Sequence, residues 1–248
     1  MKKRRQRLTL MIKIRSIIFW IYLGTISLLY SIFGLLLYPL GEKLRHKLIT
    51  TSWTYLINLG FVFISGIRYK VQNKENIKLV KGAAVIASNH QSLYETFIFN
   101  LIFPQHVWIL KKELLKIPCF GWTLSTVSPI AIDRSKRTQS IRQITEQGKD
   151  RVGKGFWIMS FPEGTRVSPR VVKPFKVGAG LLAGNLEIPV LPVCHNAGYV
   201  IPKNSFWLYP GTVDIVIGEP ISSTGKSREQ LTDEIEAWVR QHLPSING

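Results

Sequence analysis

The sequence predicts an α/β fold that is preceded by two apolar helices. After residue 67, short apolar runs alternate with polar segments of helical pattern, an order of elements typical of α/β domains. Two long stretches without a charged residue lie at 16–41 and 48–67. A chain of 248 residues is long enough for one well-buried domain and an appendage. We therefore expect N-terminal helices over 1–67 and one globular domain over 68–248.

The first uncharged stretch predicts a membrane anchor. Seven basic residues stand within 1–15, and residues 16–41 are enough for a helix to cross a bilayer core of about 30 Å. A signal peptide is the alternative. The apolar stretch is too long for a typical signal sequence, however, and no A-x-A-like cleavage site ends it. We therefore expect the segment to be retained.

The second stretch is more polar and leaves two interpretations open. It is either a second membrane helix or a buried helix of the globular domain. Because basic residues flank residues 16–41 on both sides, the positive-inside rule opposes placing the two ends in different compartments. A monotopic hairpin in one leaflet and a pair of spanning helices both satisfy this rule, and we favour the hairpin. Both arrangements place residues 68–248 on the cytoplasmic face of the inner membrane.

The elements of the globular part follow from its apolar runs in order. Short runs rich in β-branched residues predict buried strands at 83–88, 107–110, 156–160, 190–193 and 213–217, with a further apolar run at 129–132. Helical patterns predict helices at 96–102, 135–152 and 227–243, and Gly153 suits the C-terminal cap of the second. No internal repeat or low-complexity linker interrupts the chain, which favours a single domain.

The charge balance indicates an anionic partner. The net charge is +18, and residues 68–248 alone hold 23 Lys and Arg against 14 Asp and Glu. Such an excess favours nucleic acid, an anionic membrane surface or phosphorylated substrates. The two cysteines, Cys119 and Cys194, form neither a disulfide framework nor a metal-type spacing. The histidines outside the motifs are scattered, so we expect no metal site.

The first motif is Asn89-His90-Gln91-Ser92-Leu93-Tyr94-Glu95, at the end of a predicted strand. His90 has the side chain suited to taking a proton at neutral pH, and a carboxylate partner would orient it. Residues five apart do not face each other on a helix, so this pairing requires His90 in the turn and Glu95 in the first helical turn. The alternative is that Ser92 and Glu95 form a capping box and that His90 is structural.

The second motif, Phe161-Pro162-Glu163-Gly164-Thr165-Arg166, also follows a predicted strand. Gly164 permits close approach of the backbone, and Arg166 supplies a planar fork that suits phosphate. The alternative is an ordinary turn with a solvated pair between Glu163 and Arg166. The following segment, 173–180, adds cations, including Lys176, and small residues that either bind an anion or pack a helix closely on the sheet.

Together these blocks resemble the glycerolipid acyltransferase family over about 83–220. The four blocks occur in the family's order. The first is 89–95, and the second is 111–134, which contains Lys111, Glu113 and Ile132-Asp133-Arg134. The third is 161–166 together with 173–180, and the fourth is 188–193. The resemblance implies an α/β fold with a single mixed sheet flanked by helices. It also implies transfer of a fatty acyl group from acyl-CoA or acyl carrier protein to the 2-hydroxyl of lysophosphatidate, without a cofactor or metal. Residues 68–248 would then be the catalytic domain, and 1–67 its membrane anchor.

The resemblance also implies roles for individual residues. His90 would be the general base, and Glu95 would occupy the place of the family's usual aspartate. The implied substrate-binding residues are Lys111, Arg134, Glu163, Gly164, Thr165, Arg166 and Lys176, with Arg166 holding the acceptor's phosphate. Two positions depart from the family pattern: glutamate replaces aspartate at 95, and Ser128-Pro129 stands where a glycine often precedes the Ile-Asp-Arg segment.

Two alternative functions remain open. One is an acyltransferase for another lysolipid acceptor, such as a lyso-ornithine lipid. The other is a non-catalytic membrane protein that binds lipid or nucleic acid. We do not expect nucleic acid as a partner, because such a protein interleaves basic and aromatic residues on its surface rather than placing H-x-x-x-x-E behind a core strand.

Overall fold

Seven strands form one mixed sheet in the computed structural model, which describes residues 8–117, 120–132 and 137–246. The strands are β1 (Ile67–Gln72), β2 (Val85–Ser88), β3 (His106–Lys111), β4 (Ile130–Ile132), β5 (Trp157–Ser160), β6 (Val190–His195) and β7 (Gly211–Ile217). Across the sheet they lie in the order β1-β7-β6-β2-β5-β3-β4. Neighbouring strands are parallel except β6 and β7, which are antiparallel. The expected single mixed sheet is confirmed.

Helices cover the sheet on both faces. They are α1 (Leu10–Leu36), α2 (Glu42–Gly60), α3 (Tyr94–Ile102), α4 (Phe120–Thr126), α5 (Arg137–Gly153), α6 (Gly178–Leu186) and α7 (Arg228–Ile246). A π-helical turn, Phe61–Ser65, continues α2. The predicted strands and helices of the globular part are present, with ends that differ by a few residues.

Of the strands and α-helices that the structure describes, β1 and α4 were not predicted from the sequence, whereas α6 is the helix expected after the segment 173–180. β1 begins at Ile67, the last residue of the second uncharged stretch, directly after Gly66, whose φ of +68° lies in the left-handed region that favours glycine. Its alternation of Ile67, Arg68, Tyr69 and Lys70 is that of an edge strand with one solvated face, which a search for apolar runs overlooks.

The central strands are buried on both faces because side chains alternate along them. On β2, Val85 and Ala87 join an apolar cluster with Leu182 of α6 and Ile235 of α7. Ile86, between them, joins a second cluster on the opposite face, formed with residues of α1 to α3. This double burial explains why the strand is a continuous apolar run in the sequence.

The two N-terminal helices are each long and apolar enough to cross a membrane. In the structure α1 and α2 pack against each other, with the Tyr22 hydroxyl donating to the Leu56 carbonyl at 2.8 Å. α1 also contacts the globular domain, where Trp20 Nε1 donates to the Phe206 carbonyl at 2.7 Å and the Leu208 N–H donates to Ser16 Oγ at 2.9 Å.

α2 lies along the globular domain from its beginning to its end. Near its start, Glu42 pairs with Lys154 of α5 at 2.7 Å, and His46 Nε2 lies 3.0 Å from the His106 carbonyl. Near its end, Ile57 and the following Phe61 are fully buried in the domain core. The second uncharged stretch therefore forms a helix that contacts the domain, and this contact is compatible with both interpretations that its polar composition had left open.

The sheet brings the two sequence motifs to one edge. β2 and β5 are parallel neighbours in which Ala87 pairs with Ser160, so their carboxyl ends lie side by side. The turns that follow these strands contain the first and the second motif. This edge is where open α/β sheets bind ligands.

Candidate active site

His90 and Glu95 form a hydrogen-bonded pair. His90 lies in the turn after β2, and Glu95 lies in the first turn of α3, because the helix begins at Tyr94. Glu95 Oε1 is 2.8 Å from Nδ1 of His90. The turn therefore brings together two side chains that a continuous helix would point in different directions, and the longer glutamate side chain reaches the imidazole. The other ring nitrogen of His90, Nε2, is left for a substrate.

The carboxylate of Glu95 is buried and also organises the turn. Its Oε1 accepts the backbone N–H groups of Gln91 at 2.9 Å and Ser92 at 2.7 Å. The bond from Ser92 is the glutamate half of the capping box considered above, so the capping contact and the histidine contact occur together. Burial acts to raise the pKa of Glu95, but hydrogen bonds from the His90 ring and the Ser92 N–H favour the carboxylate and lower the pKa on balance. The net lowered pKa keeps the carboxylate ionised.

Glu163 connects the second motif to the first. It is 3% exposed, and its Oε2 accepts the backbone N–H of His90 at 2.7 Å. Burial raises the pKa of Glu163 from its usual 4.5 to about 7, although the hydrogen bond from His90 lowers it in part. The Val167 N–H donates to the His90 carbonyl at 2.8 Å. Glu163 is therefore built into the site as a link between the motifs, not as a solvated partner of Arg166.

The imidazole of His90 is held against an aromatic ring. It stacks on Phe161, the first residue of the second motif, with ring centroids 4.0 Å apart and an angle of 11° between the planes. This contact fixes one face of the ring, and the bond to Glu95 fixes its rotation. A site role for Phe161 was not predicted from the sequence.

The histidine opens onto a cavity of about 1610 Å³ that reaches from the two motifs to the N-terminal helices. Its apolar part includes Leu28 of α1, Trp53 of α2 and Phe97 of α3. A second cavity, of about 730 Å³, includes Gly218 and Trp238 but none of the motif residues. The larger cavity therefore combines access to His90 with space for a long apolar chain.

Cations surround the polar part of the larger cavity. Its described lining residues include five cations, Lys111, Arg166, Lys176, Lys203 and Arg228, and no carboxylate. Thr165 and Gly164 also line it, whereas Glu163 lies behind it. Lys203 and Arg228 were not predicted. Arg134, a predicted substrate-binding residue, lies outside the described residues. A cavity lining that contains several cations and no acidic side chain among its described residues suits a phosphate-bearing ligand.

Gly164 allows the lysine segment to approach the second motif. Its φ is +68°, and a Cβ added there would lie 2.9 Å from Nζ of Lys176. The Lys176 N–H donates to the Pro162 carbonyl at 2.9 Å, which fixes this segment beside the turn. A side chain at position 164 would strain the backbone and displace the Lys176 ammonium group.

The backbone conformation of Ser128 bears on one departure from the family pattern, in which Ser128-Pro129 stands where a glycine often precedes the Ile-Asp-Arg segment. Its φ of 55° lies in the left-handed region, where glycine is favoured. Its carbonyl accepts a hydrogen bond from Nε of Arg151 at 2.8 Å. The chain therefore keeps at Ser128 the conformation that a glycine would adopt.

Two buried side chains beside His90 had no predicted role: Asn89, the first residue of the first motif, and His195. Both are fully buried. Asn89 Nδ2 donates to the His195 carbonyl at 2.9 Å, and the His195 N–H donates to Asn89 Oδ1 at 3.0 Å. The signal that could have revealed them is the polar pair His195-Asn196 at the end of the apolar strand β6.

The sulfur and metal chemistry of the described residues is limited. Cys194 is buried, and burial raises the pKa of its thiol to about 12. Cys119 lies outside the described residues. No group of three or more His, Cys, Asp or Glu among those described is placed to hold a metal ion. The site therefore offers an acid–base pair and cations for chemistry.

Comparison with known proteins gives matches over most of the chain. The family model described as Acyltransferase matches residues 68–196. A 1-acyl-sn-glycerol-3-phosphate acyltransferase of Pseudomonas aeruginosa is 35% identical over 238 residues, which are 94% of this chain and 92% of that protein. The Escherichia coli protein of the same description is 37% identical over 154 residues, 61% of this chain and 62% of its own.

A solved structure shares the fold. The crystal structure of the 1-acyl-sn-glycerophosphate (LPA) acyltransferase PlsC from Thermotoga maritima superposes with a TM-score of 0.78 at 26% identity. The match covers 96% of this chain and 98% of that one. It therefore includes α1 and α2 as well as the sheet.

Proposed function

The chain belongs to the acyltransferase family, and from this membership we propose that it transfers a fatty acyl group to the 2-hydroxyl of lysophosphatidate, giving phosphatidate. The observation that carries the proposal is the His90–Glu95 pair at 2.8 Å, placed beside a cavity whose lining includes both cations and apolar side chains. This combination suits an acceptor with a phosphate, a hydroxyl and a long chain. The relatives described as acting on 1-acyl-sn-glycerol-3-phosphate support the same acceptor.

The reaction requires one base and no covalent intermediate. Nε2 of His90 takes the hydroxyl proton as the oxygen attacks the thioester carbonyl of the donor. The new C–O bond forms, the C–S bond breaks, and the proton passes from His90 to the departing thiolate. Glu95 stabilises the imidazolium formed between these steps. A positioned general base of this kind accounts for about 10²- to 10⁴-fold in rate.

An acyl-enzyme on cysteine is not needed in this mechanism. A thioester is already activated, so direct transfer between two bound substrates suffices. The thiol of Cys194 is buried with a raised pKa, which makes it a poor nucleophile. The donor, acyl-CoA or acyl carrier protein, is a substrate, and the proposed mechanism uses neither a cofactor nor a metal.

The cations of the cavity are assigned to the acceptor's phosphate. Arg166 provides the planar fork, and Lys111 and Lys176 add charge to the lining of the same cavity. The expected role of Arg134 in this group stays a proposal made from the sequence. Glu163, Gly164 and Thr165 shape the turn that presents Arg166.

We assign residues 1–67 as a monotopic membrane anchor and 68–248 as the catalytic domain on the cytoplasmic face of the inner membrane. Because α1 and α2 contact the domain along their lengths, they lie beside it instead of projecting from it. The opposite face of α1 exposes apolar side chains, among them Ile14, Ile18 and Ile21. That face suits the acyl region of an anionic leaflet, where a lysolipid acceptor resides.

The test is an acceptor panel with purified full-length protein. Lysophosphatidate, a lysophosphatidylcholine and a lyso-ornithine lipid are each offered with labelled acyl-CoA. A parallel series uses the acylated form of acyl carrier protein as the donor. We expect product from lysophosphatidate and loss of nearly all turnover in His90→Ala, whose folding is checked by circular dichroism. Preference for another lysolipid would overturn the acceptor assignment. A His90→Ala variant that keeps most of its rate would overturn the mechanism.

A further inference from the structure

The peptide group between Asn89 and His90 is held on both sides by buried side chains. Its N–H, on His90, donates to Glu163 Oε2 at 2.7 Å. Its carbonyl, on Asn89, lies 2.8 Å from Nε2 of His195. The backbone that carries the proposed base is thus clamped between a carboxylate from one neighbouring strand end and an imidazole from the other.

The partners of His195 fix its tautomer. The Ala197 N–H donates to Nδ1 at 3.2 Å, so Nδ1 carries no proton. The Asn89 carbonyl can only accept, so Nε2 carries the proton and donates it. The ring is fully buried, and burial lowers its pKa. Both nitrogens of a neutral imidazole are therefore satisfied, each by one backbone group.

His195 also lies directly behind the reactive pair. Its Nε2 is 3.8 Å from Oε1 of Glu95, the same oxygen that binds His90. Two further hydrogen bonds with the side chain of Asn89 tie the backbone of His195 to the first motif. A shift of His195 would therefore move the Asn89 carbonyl, and with it the Cα of His90 relative to Glu95.

We infer that His195 is a positioning residue for acyl transfer, which fixes His90 against Glu95 by donating from Nε2 to the Asn89 carbonyl opposite Glu163. This inference rests on the proposed role of His90 as the base. His195 does not contact the substrate in this proposal, and it acts only through the clamped peptide group. The rate is sensitive to this placement, since a displacement of about 1 Å at a reacting group costs on the order of 100-fold.

Two amide substitutions separate positioning from stability. In His195→Gln, the amide nitrogen is as many bonds from the Cα as Nε2 of histidine, so it can donate to the Asn89 carbonyl. In His195→Asn, the side chain is one bond shorter than glutamine, and its amide group reaches only the position of Nδ1. It can therefore keep the contact with the Ala197 N–H, but it cannot donate to the Asn89 carbonyl. Each variant keeps one of the two ring contacts, and a purely structural role predicts similar losses of stability and activity for both.

We expect His195→Gln to retain most of the wild-type kcat and His195→Asn to lose about 10- to 100-fold, with both KM values within about twofold of wild type. In a Glu95→Ala background, where the hydrogen bond to His90 is absent, His195→Asn should cost less than about threefold. Equal kcat for the two variants, or the same loss in both backgrounds, would overturn the inference.

A measurement on the wild type keeps the inference testable if a variant does not fold. In ¹⁵N-histidine NMR, the His195 ring should be the neutral Nε2–H tautomer from pH 6 to 8. A ring protonated at Nδ1 would overturn the inference. Failure of the proposed function is distinct, because it would appear as an inactive wild type or an active His90→Ala variant in the same assay.

Discussion

The carboxylate of Glu163 accepts the backbone N–H of His90 at 2.7 Å, and this bond links the second motif to the first. The two residues follow parallel neighbouring strands, so the bond forms where the strands end. Because the bond is to the backbone, it fixes the position of His90 without competing for its ring nitrogens. The proximity of these turns brings the two motifs together at one edge of the sheet.

Replacing Glu163 by Gln should make stability less dependent on pH. Folding raises the pKa of Glu163 from 4.5 to about 7, so between these values the folded state holds the proton more tightly than the unfolded chain. Wild-type stability should therefore fall relative to Glu163→Gln as the pH rises through this window, by at most about 3 kcal/mol. Denaturation of both proteins from pH 5 to 8 measures the difference, and a constant difference would contradict the prediction.

Replacing Glu95 by Asp should lower kcat even though aspartate is the family's usual residue. Oε1 of Glu95 binds His90, Gln91 and Ser92 together, and a side chain shorter by one methylene cannot keep all three contacts. We expect a loss of about 10- to 100-fold in kcat for Glu95→Asp, and a larger loss for Glu95→Gln, which lacks the charge. Steady-state kinetics at saturating acceptor measure both losses. A fully active Glu95→Asp would show that the turn adapts to the shorter residue.

Replacing Arg166 by Ala should weaken acceptor binding. Arg166 lines the cationic part of the cavity, and a charged hydrogen bond to phosphate is worth about 1.5–3 kcal/mol, so KM for lysophosphatidate should rise about 10- to 100-fold. The matched control is Arg170→Ala, because Arg170 is nearby and exposed but does not line the cavity. A similar rise in KM for both variants would point to general surface charge instead of a phosphate site.

Substituting Ser for Ile14, Ile18 and Ile21 together should release the protein from membranes. These side chains are 49%, 48% and 65% exposed on α1, so the change leaves the packed face of the helix intact. At about 1 kcal/mol each, the loss should lower partitioning into anionic vesicles on the order of 100-fold. Vesicle sedimentation measures it, and activity on detergent-dispersed substrate, expected to be unchanged, is the control. Unchanged sedimentation would contradict a monotopic anchor on this face.

Much of the fold followed from patterns that are local in the chain. The run 83–88 and the run 156–160 became β2 and β5 because strands buried on both faces need apolar residues at every position. β1 was missed because its pattern alternates, with only one face buried. The requirement that His90 lie in the turn and Glu95 in the helix also came from local geometry, and the structure shows that arrangement.

By itself, the sequence determined the α/β class, the two apolar helices and the two motifs, because each depends on residues only a few positions apart. The tertiary structure alone decided what surrounds His90. Asn89 and His195 are 106 positions apart, and they meet because the packing of side chains on both faces of the sheet places β6 beside β2. Strand order is a property of the whole core, so no local pattern could show that the peptide before His90 is held between Glu163 and His195.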